Sequence, residues 1–147
     1  MPRGADPLAQ PAFRSFRCIT FARLGVELVF TYADGQIHGE FIADERLEGH
    51  EGVMNGGFMA SMMDEVLGDA VLALGQNVVT GRLELRYRRP ARLGIPLTVR
   101  GWIEEARSRA YRVRGVVEDP EGVVLQAEGL MMPIDKPIDA PTDWYAS

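Results

Sequence analysis

Asp64 and Glu65 stand side by side in "GHEGVMNGGFMASMMDEVLGDA", residues 49–70, a stretch otherwise dominated by apolar residues and glycine. Acidic side chains are rare where a chain is apolar enough to be buried. Three uses compete for such a pair: a solvent-facing stripe, a salt bridge, or a carboxylate that attacks a substrate or takes its proton. Gly56 and Gly57 lie just upstream. Where glycines open a helix, backbone N–H groups lack intrahelical acceptors, and another molecule can approach the backbone closely. The helix dipole favours negative charge at the same place.

These groups need a helix to carry them. The spacing predicts one from about Gly56 to Ala73. Phe58, Met59, Met62, Met63, Val66, Leu67, Ala70 and Val71 fill most of its circumference and leave a narrow polar arc of Ser61, Glu65 and Asp69. Asp64 falls at the margin of that arc. Its helical neighbours Ala60, Ser61 and Gly68 are small and only Leu67 is large, so a groove is expected beside the carboxylate. Glu65 sits nearer the centre and reads as solvated or ion-paired, with a catalytic role as the alternative. A helix apolar over so much of its surface must be wrapped by a sheet, a partner, or both.

The flanking sequence supplies strands. In "GVELVFTYADGQIHGEFIAD", Val26, Leu28 and Phe30 alternate, Asp34-Gly35 is a strong turn pair, and Ile37, Gly39 and Phe41 resume the alternation, which predicts a hairpin. After Gly75 the period is two. Val79, Leu83, Leu85 and Tyr87 oppose Arg82, Glu84, Arg86 and Arg88. "LTVRGWIEE", "YRVRGVVED" and "GVVLQAEGLMM" continue as strands. The plan is two strands, one long helix, then four strands. It is an α+β domain whose antiparallel sheet of about six strands presents one apolar face to the helix. Residues 1–17 read as an arm, 18–133 as the domain, and 134–147 as a tail packing through Trp144 and Tyr145 or fraying.

Totals narrow the function classes. The 147 residues suit one domain, and 46% apolar content supports a core. A net charge of −5 argues against a nucleic-acid partner. Cys18 is the only cysteine, so neither an intrachain disulfide nor a cysteine zinc site is expected. His38 and His50 are the only histidines, and no ligand spacing points to a metal. "MPRGADPLAQPAF" has no apolar signal core, and no apolar run reaches the roughly 18 residues of a membrane span. A cytoplasmic protein without a membrane partner is expected.

Two motifs carry a family resemblance. Gly49, Gly52, Asn55, Gly56, Gly57, Asp64 and Glu65 match the spacing G-x-x-G-x-x-H-G-G, six residues, then Asp or Asp-Glu. Tyr87, Pro90 and Gly94 match Y-x-x-P-x-x-x-G. The chain resembles hotdog-fold thioesterases of the phenylacetic-acid-degradation type over roughly residues 18–133. "LGVELVFTYADGQIHGEF" resembles the first hairpin of a branch with an upstream Cys-Phe-Gly-Cys-Gly motif, of which only Cys18 is present.

The resemblance implies a curled sheet around a central helix and hydrolysis of acyl-coenzyme A without metal or bound cofactor. It implies a homodimer; should dimers pair further into tetramers, the charged sheet backs favour helix-side pairing. The Gly56 N–H would meet the thioester carbonyl oxygen, with Gly57 completing the helix entry. Asp64 would act across the dimer interface, as nucleophile or as general base. Thr80, ten positions before Pro90, would help place the water, although strict alternation puts it on the outer face with Arg82 unless the strand bulges. Asn55 stands where the family has histidine, and it can hydrogen-bond without titrating near neutrality. Phe58 and Met63, with Met59 and Met62, are candidates to line the acyl pocket. Arg88 and Arg89, with Arg92, are candidates for coenzyme A phosphates. His50 reads as a loop residue. Asn55 and the missing cysteine motif also feed a rival reading, a hotdog protein that binds acyl-CoA without turnover. A dehydratase of this fold would need a histidine in the helix, and none is there.

Overall fold

The computed structural model describes residues 11–107 and 109–135. The expected tail from Lys136 on, with Trp144 and Tyr145, lies outside them, as do residues 1–10 of the expected arm.

The hairpin forms as expected. Strands β2 (Val29–Ala33) and β3 (Gln36–Ile42) pair antiparallel around Asp34 and Gly35, whose φ angles of 52° and 77° give the left-handed turn that Asp-Gly tolerates. Helix α2 (Gly56–Leu72) follows. Four long strands come next: β4 (Val78–Tyr87), β5 (Pro96–Ala106), β6 (Tyr111–Asp119) and β7 (Gly122–Pro133).

Two short elements before the hairpin have no counterpart in the expected plan. Residues 15–17 had been assigned to the arm, yet Ser15–Arg17 form a strand, β1, on the free edge of β2, with Phe16 only 2% exposed. Ile19–Ala22 then form a single helical turn, α1. Neither is long enough to show a period in sequence. The sheet therefore has seven strands rather than six, in the order β1-β2-β3-β5-β6-β7-β4, antiparallel throughout, with β1 and β4 at its edges.

Helix α2 lies against this sheet in a dent made by small residues. Gly101 of β5 faces Gly115 of β6, which faces Ala127 of β7. A Cβ on Gly101 would stand 2.6 Å from Val66, and one on Gly115 would stand 2.5 Å from Met63. No side chain fits there, so the absence of one lets the helix sit close. Met62, Met63, Val66, Leu67 and Val71 are fully buried within the single chain. Of the covers expected for this helix, the curled sheet and the residues around β1 and α1 already bury these side chains. The outer face carries cross-strand charge pairs, for instance Arg100 with Glu118 at 3.0 Å. The whole is the hotdog fold. Among the described residues no helix is long and apolar enough to cross a membrane.

Candidate active site

Asn55 sets the start of α2. Its Oδ1 accepts from the N–H of Gly57 at 2.7 Å and of Phe58 at 3.2 Å, the N-cap arrangement. The first-turn donor left over is the Gly56 N–H, which has no partner among the described residues. From the other side Tyr87 donates its hydroxyl to the Gly56 carbonyl at 2.6 Å. The peptide unit between Gly56 and Gly57 is thus held at both ends, by Asn55 and by Tyr87. The Tyr87 ring lies 3.5 Å from where a Gly56 Cβ would be. Desolvation there pushes the phenol pKa up, which keeps it a donor.

A cavity of about 360 Å³ opens over this helix start, lined among others by His50, Gly56, Met59, Tyr87, Arg88 and Arg89. The two arginines differ. Arg88 reaches Gln126 at 2.8 Å on the outer face. Arg89 is committed to the β6–β7 turn: it contacts Asp119 at 2.7 and 3.1 Å and bonds the Gly122 carbonyl at 3.0 Å. That hydrogen-bonded guanidinium holds the Asp119 carboxyl below its ordinary range.

Asp64 occupies a different place. It lines a second cavity, about 460 Å³, with Glu65, Gly68, Asp69 and Leu72 from α2, Asn77 to Thr80 on the way into β4, and Phe16, Arg17, Ile19 and Arg23 from the N-terminal residues. Of the small neighbours expected to leave a groove beside Asp64, Gly68 lines this cavity and Ala60 and Ser61 do not. Thr80 donates to Asp64 Oδ1 at 2.7 Å. It reaches the helix because β4 bulges: Thr80 pairs with Met131 and Arg82 with Leu130, which leaves Gly81 as the extra residue. The bulge also reverses the alternation before it. Val79, expected on the core face, is 50% exposed, while Val78 packs against the core.

Glu65 is half-buried, hydrogen-bonded to the N-terminal residues, and without an ion pair among the described residues. Its Oε1 accepts from the Ile19 N–H at 2.7 Å, and its Oε2 accepts from the Thr20 N–H at 3.3 Å and the Cys18 thiol at 3.2 Å. Burial and the Glu65 charge push the Cys18 pKa far up, so this thiol stays protonated. Asp69, one turn on, is half-buried rather than solvated, and burial pushes its carboxyl well above its usual range.

The sequence candidates therefore separate into groups. Asn55, Gly56 and Gly57 meet at the helix start; Asp64 and Thr80 meet eight residues along it. Phe58 is half-buried beside the core and Met63 is fully buried over Gly115, and neither lines these two cavities. Among the described residues no group of three His, Cys, Asp or Glu side chains could hold a metal ion. Sequence reasoning passed over Tyr87 as a site residue, although the Y-x-x-P motif contains it. It also passed over Phe16, Ile19 and Arg23, for which no motif gave a signal.

Comparison with known proteins bears on the family and the fold. The family model described as Thioesterase superfamily matches residues 51–126, just over half of the chain. A crystal structure of a thioesterase superfamily protein is 31% identical with a TM-score of 0.68, over 71% of this chain and 53% of that one. The chain thus spans about half the length of that relative. A phenylacetic acid degradation-related protein from Ralstonia eutropha is 25% identical with a TM-score of 0.67, over 77% of this chain and 88% of its own. A Streptococcus mutans protein bound to acetyl CoA shares the fold at 19% identity and a TM-score of 0.66, over 70% of this chain and 84% of its own.

Proposed function

The chain belongs to the thioesterase superfamily, and from that premise we propose that it hydrolyses acyl- or aryl-coenzyme A thioesters at a site shared by two copies of itself. The observation that carries this reading is the Asp64–Thr80 pair, a carboxylate held by a hydroxyl at 2.7 Å inside a cavity large enough for an acyl group.

Hydrolysis needs an oxyanion donor and a base or nucleophile about 3 Å from one carbonyl. Within one chain the Gly56 N–H and Asp64 are eight residues apart, roughly 12 Å along the helix axis. They cannot serve the same carbonyl. Two copies joined along the exposed β4 edges, with their α2 helices antiparallel, bring Gly56 of one against Asp64 of the other. The exposed Val79 and Tyr87 on β4 fit such a contact. The thioester oxygen then takes its charge against the Gly56 N–H. Asp64 either removes a proton from water, which adds to the carbonyl carbon, or adds to that carbon itself and is freed by water afterwards. In both routes the carbon–sulfur bond breaks and the thiolate of coenzyme A takes up the proton released from the water. Thr80 holds the carboxylate in line. Arg88 lines the Gly56 cavity and bonds Gln126 through Nε, so its terminal nitrogens are the ones offered to a phosphate; Arg89 is committed to the β6–β7 turn.

The Streptococcus mutans likeness supports an acyl-CoA ligand, and a cytoplasmic setting suits that substrate. In the rival reading the same pocket binds acyl-CoA without turnover. Asn55 gives that reading less support than the sequence alone suggested, because its observed work is to cap α2, which needs no titrating group.

The test is thiol release from a panel of acyl-CoA thioesters by the parent and by Asp64→Ala, with melting curves and light scattering for both. The expected result is a dimer of 16.3 kDa chains, turnover by the parent, none by the variant, and an unchanged fold. A variant within about threefold of the parent moves the chemistry to Glu65 or ends the enzyme reading. A parent that binds acyl-CoA and releases no thiol leaves the binder.

A further inference from the structure

Asp64 and Glu65 are neighbours in sequence with separate work. On a helix their side chains point about 100° apart. Asp64 turns toward Thr80, and Glu65 turns toward the N-terminal residues. Those residues wall the Asp64 cavity: Phe16 and Ile19 line it together with Leu72, Val78 and Met131.

Phe16, Cys18 and Phe21 anchor this wall in the core, but its helical turn has few means of standing alone. Helix α1 has four residues, and its N-cap residue, Cys18, offers it no side-chain hydrogen bond. An isolated turn of that length is unstable in water. On its far side the segment is tied by the three residue pairs of β1 with β2, by the Cys18 N–H to the Leu28 carbonyl at 2.8 Å, and by Phe21 packed edge-on against Phe41. Toward α2, the hydrogen bonds that hold α1 itself are those of Glu65. One carboxylate takes up two backbone N–H groups and a thiol, all three charge-assisted.

We propose that Glu65 is a positioning residue that latches the segment Phe16–Arg23 as one wall of the acyl pocket, and so sets which acyl groups fit beside Asp64. This rests on the hydrolase reading above, with Glu65 acting through the wall and not on the reacting bond. The wall is apolar where Phe16 and Ile19 line it, so it favours a bulky apolar acyl group over acetyl.

The test uses the full chain as parent, Glu65→Ala, Glu65→Gln and Ile19→Ala. Two readouts are taken: hydrogen exchange at the Ile19 and Thr20 amides, and kcat and KM for acetyl-CoA and phenylacetyl-CoA. In Glu65→Ala the two amides should exchange about tenfold faster or more. The phenylacetyl-to-acetyl ratio of kcat/KM should fall by about tenfold, mainly through KM. Glu65→Gln keeps one acceptor oxygen and should recover most of that ratio. Ile19→Ala should lower the ratio with its amide still protected. Should Glu65→Ala fail to fold, Glu65→Gln and Ile19→Ala carry the comparison. An unchanged ratio with faster exchange overturns the proposal, and so does an equal loss of kcat for both substrates. A parent that hydrolyses neither of these nor any other thioester of the panel sinks the hydrolase reading alone. The ratio of dissociation constants for the same two thioesters then replaces kcat/KM, and its constancy across the variants overturns the latch.

Discussion

The hydroxyl of Thr80 lies 2.7 Å from Oδ1 of Asp64, although strict alternation along β4 would point it at solvent with Arg82. Gly81 is the extra residue that turns it inward. A Cβ on Gly81 would stand 2.7 Å from the Met132 side chain, so the bulge is built around a glycine. Thr80→Val keeps the shape and removes the donor. A hydrogen bond to a charged group is worth about 1.5–3 kcal/mol, so turnover should fall roughly ten- to a hundredfold. Thr80→Ser should recover most of it. Steady-state rates with a melting curve for each variant check this; a Val variant at full rate removes Thr80 from the site.

The dent under α2 gives a prediction about stability alone. Gly115→Ala would place its Cβ 2.5 Å from Met63 and 2.9 Å from the Arg100 carbonyl. The methionine can move, but the backbone carbonyl cannot. Overpacking of this kind costs about 1–3 kcal/mol, measurable as a lower denaturant midpoint. Gly52→Ala makes a useful contrast. Nothing stands within 4 Å of its Cβ, and its cost comes instead from a φ of +77°.

These two sites show what the sequence could convey. Helix α2 and the four strands after it were legible because each is long enough to show a period. The motif glycines, Asn55 and Asp64 fell where spacing put them. A bulge inserts one residue and inverts the phase, so Thr80 and Val79 were misplaced by the same rule that placed Leu83 and Leu85. Glu65 was misread because its partners, the Ile19 and Thr20 N–H groups, are backbone atoms more than forty residues away. Backbone donors leave no mark on residue type. The three residues of β1 were missed because Phe16 alone cannot announce a strand.

Asn55 separates a structural from a chemical use of its position. Its Oδ1 caps two N–H groups of α2. Asn55→Ala should cost about 1 kcal/mol of stability and loosen the peptide unit that Tyr87 also holds. Asn55→Asp restores an acceptor and should recover the stability. Asn55→His should add a break to the pH–rate profile near about 6.5, where an ordinary histidine titrates; the parent should lack one there. Melting curves and pH–rate profiles of the four proteins distinguish these outcomes. A parent profile that already breaks there removes Asn55 as the reason for its shape.

Asp69 gives the molecule a pH-dependent cost. Burial raises its carboxyl pKa well above the ordinary 3.8, and the charges of Glu65 and Asp64 push the same way. Such a group holds its proton more tightly folded than unfolded, so its contribution to stability is complete below the unfolded pKa and is lost as pH rises through the folded one. Asp69→Asn keeps the size and removes the charge. Parent and variant should therefore melt alike below about pH 3.8 and diverge above it, with the variant melting higher at about pH 8. Thermal melts across that range make the comparison. A variant that melts lower at about pH 8 reverses the sign, which requires the ionised carboxylate to be paired in solution. Arg17 and Arg23 both line the same cavity, and Arg17 is engaged by Glu27 at 3.0 Å; with Arg23 as the partner, the double substitution Asp69→Asn with Arg23→Ala would show no further loss beyond either one alone.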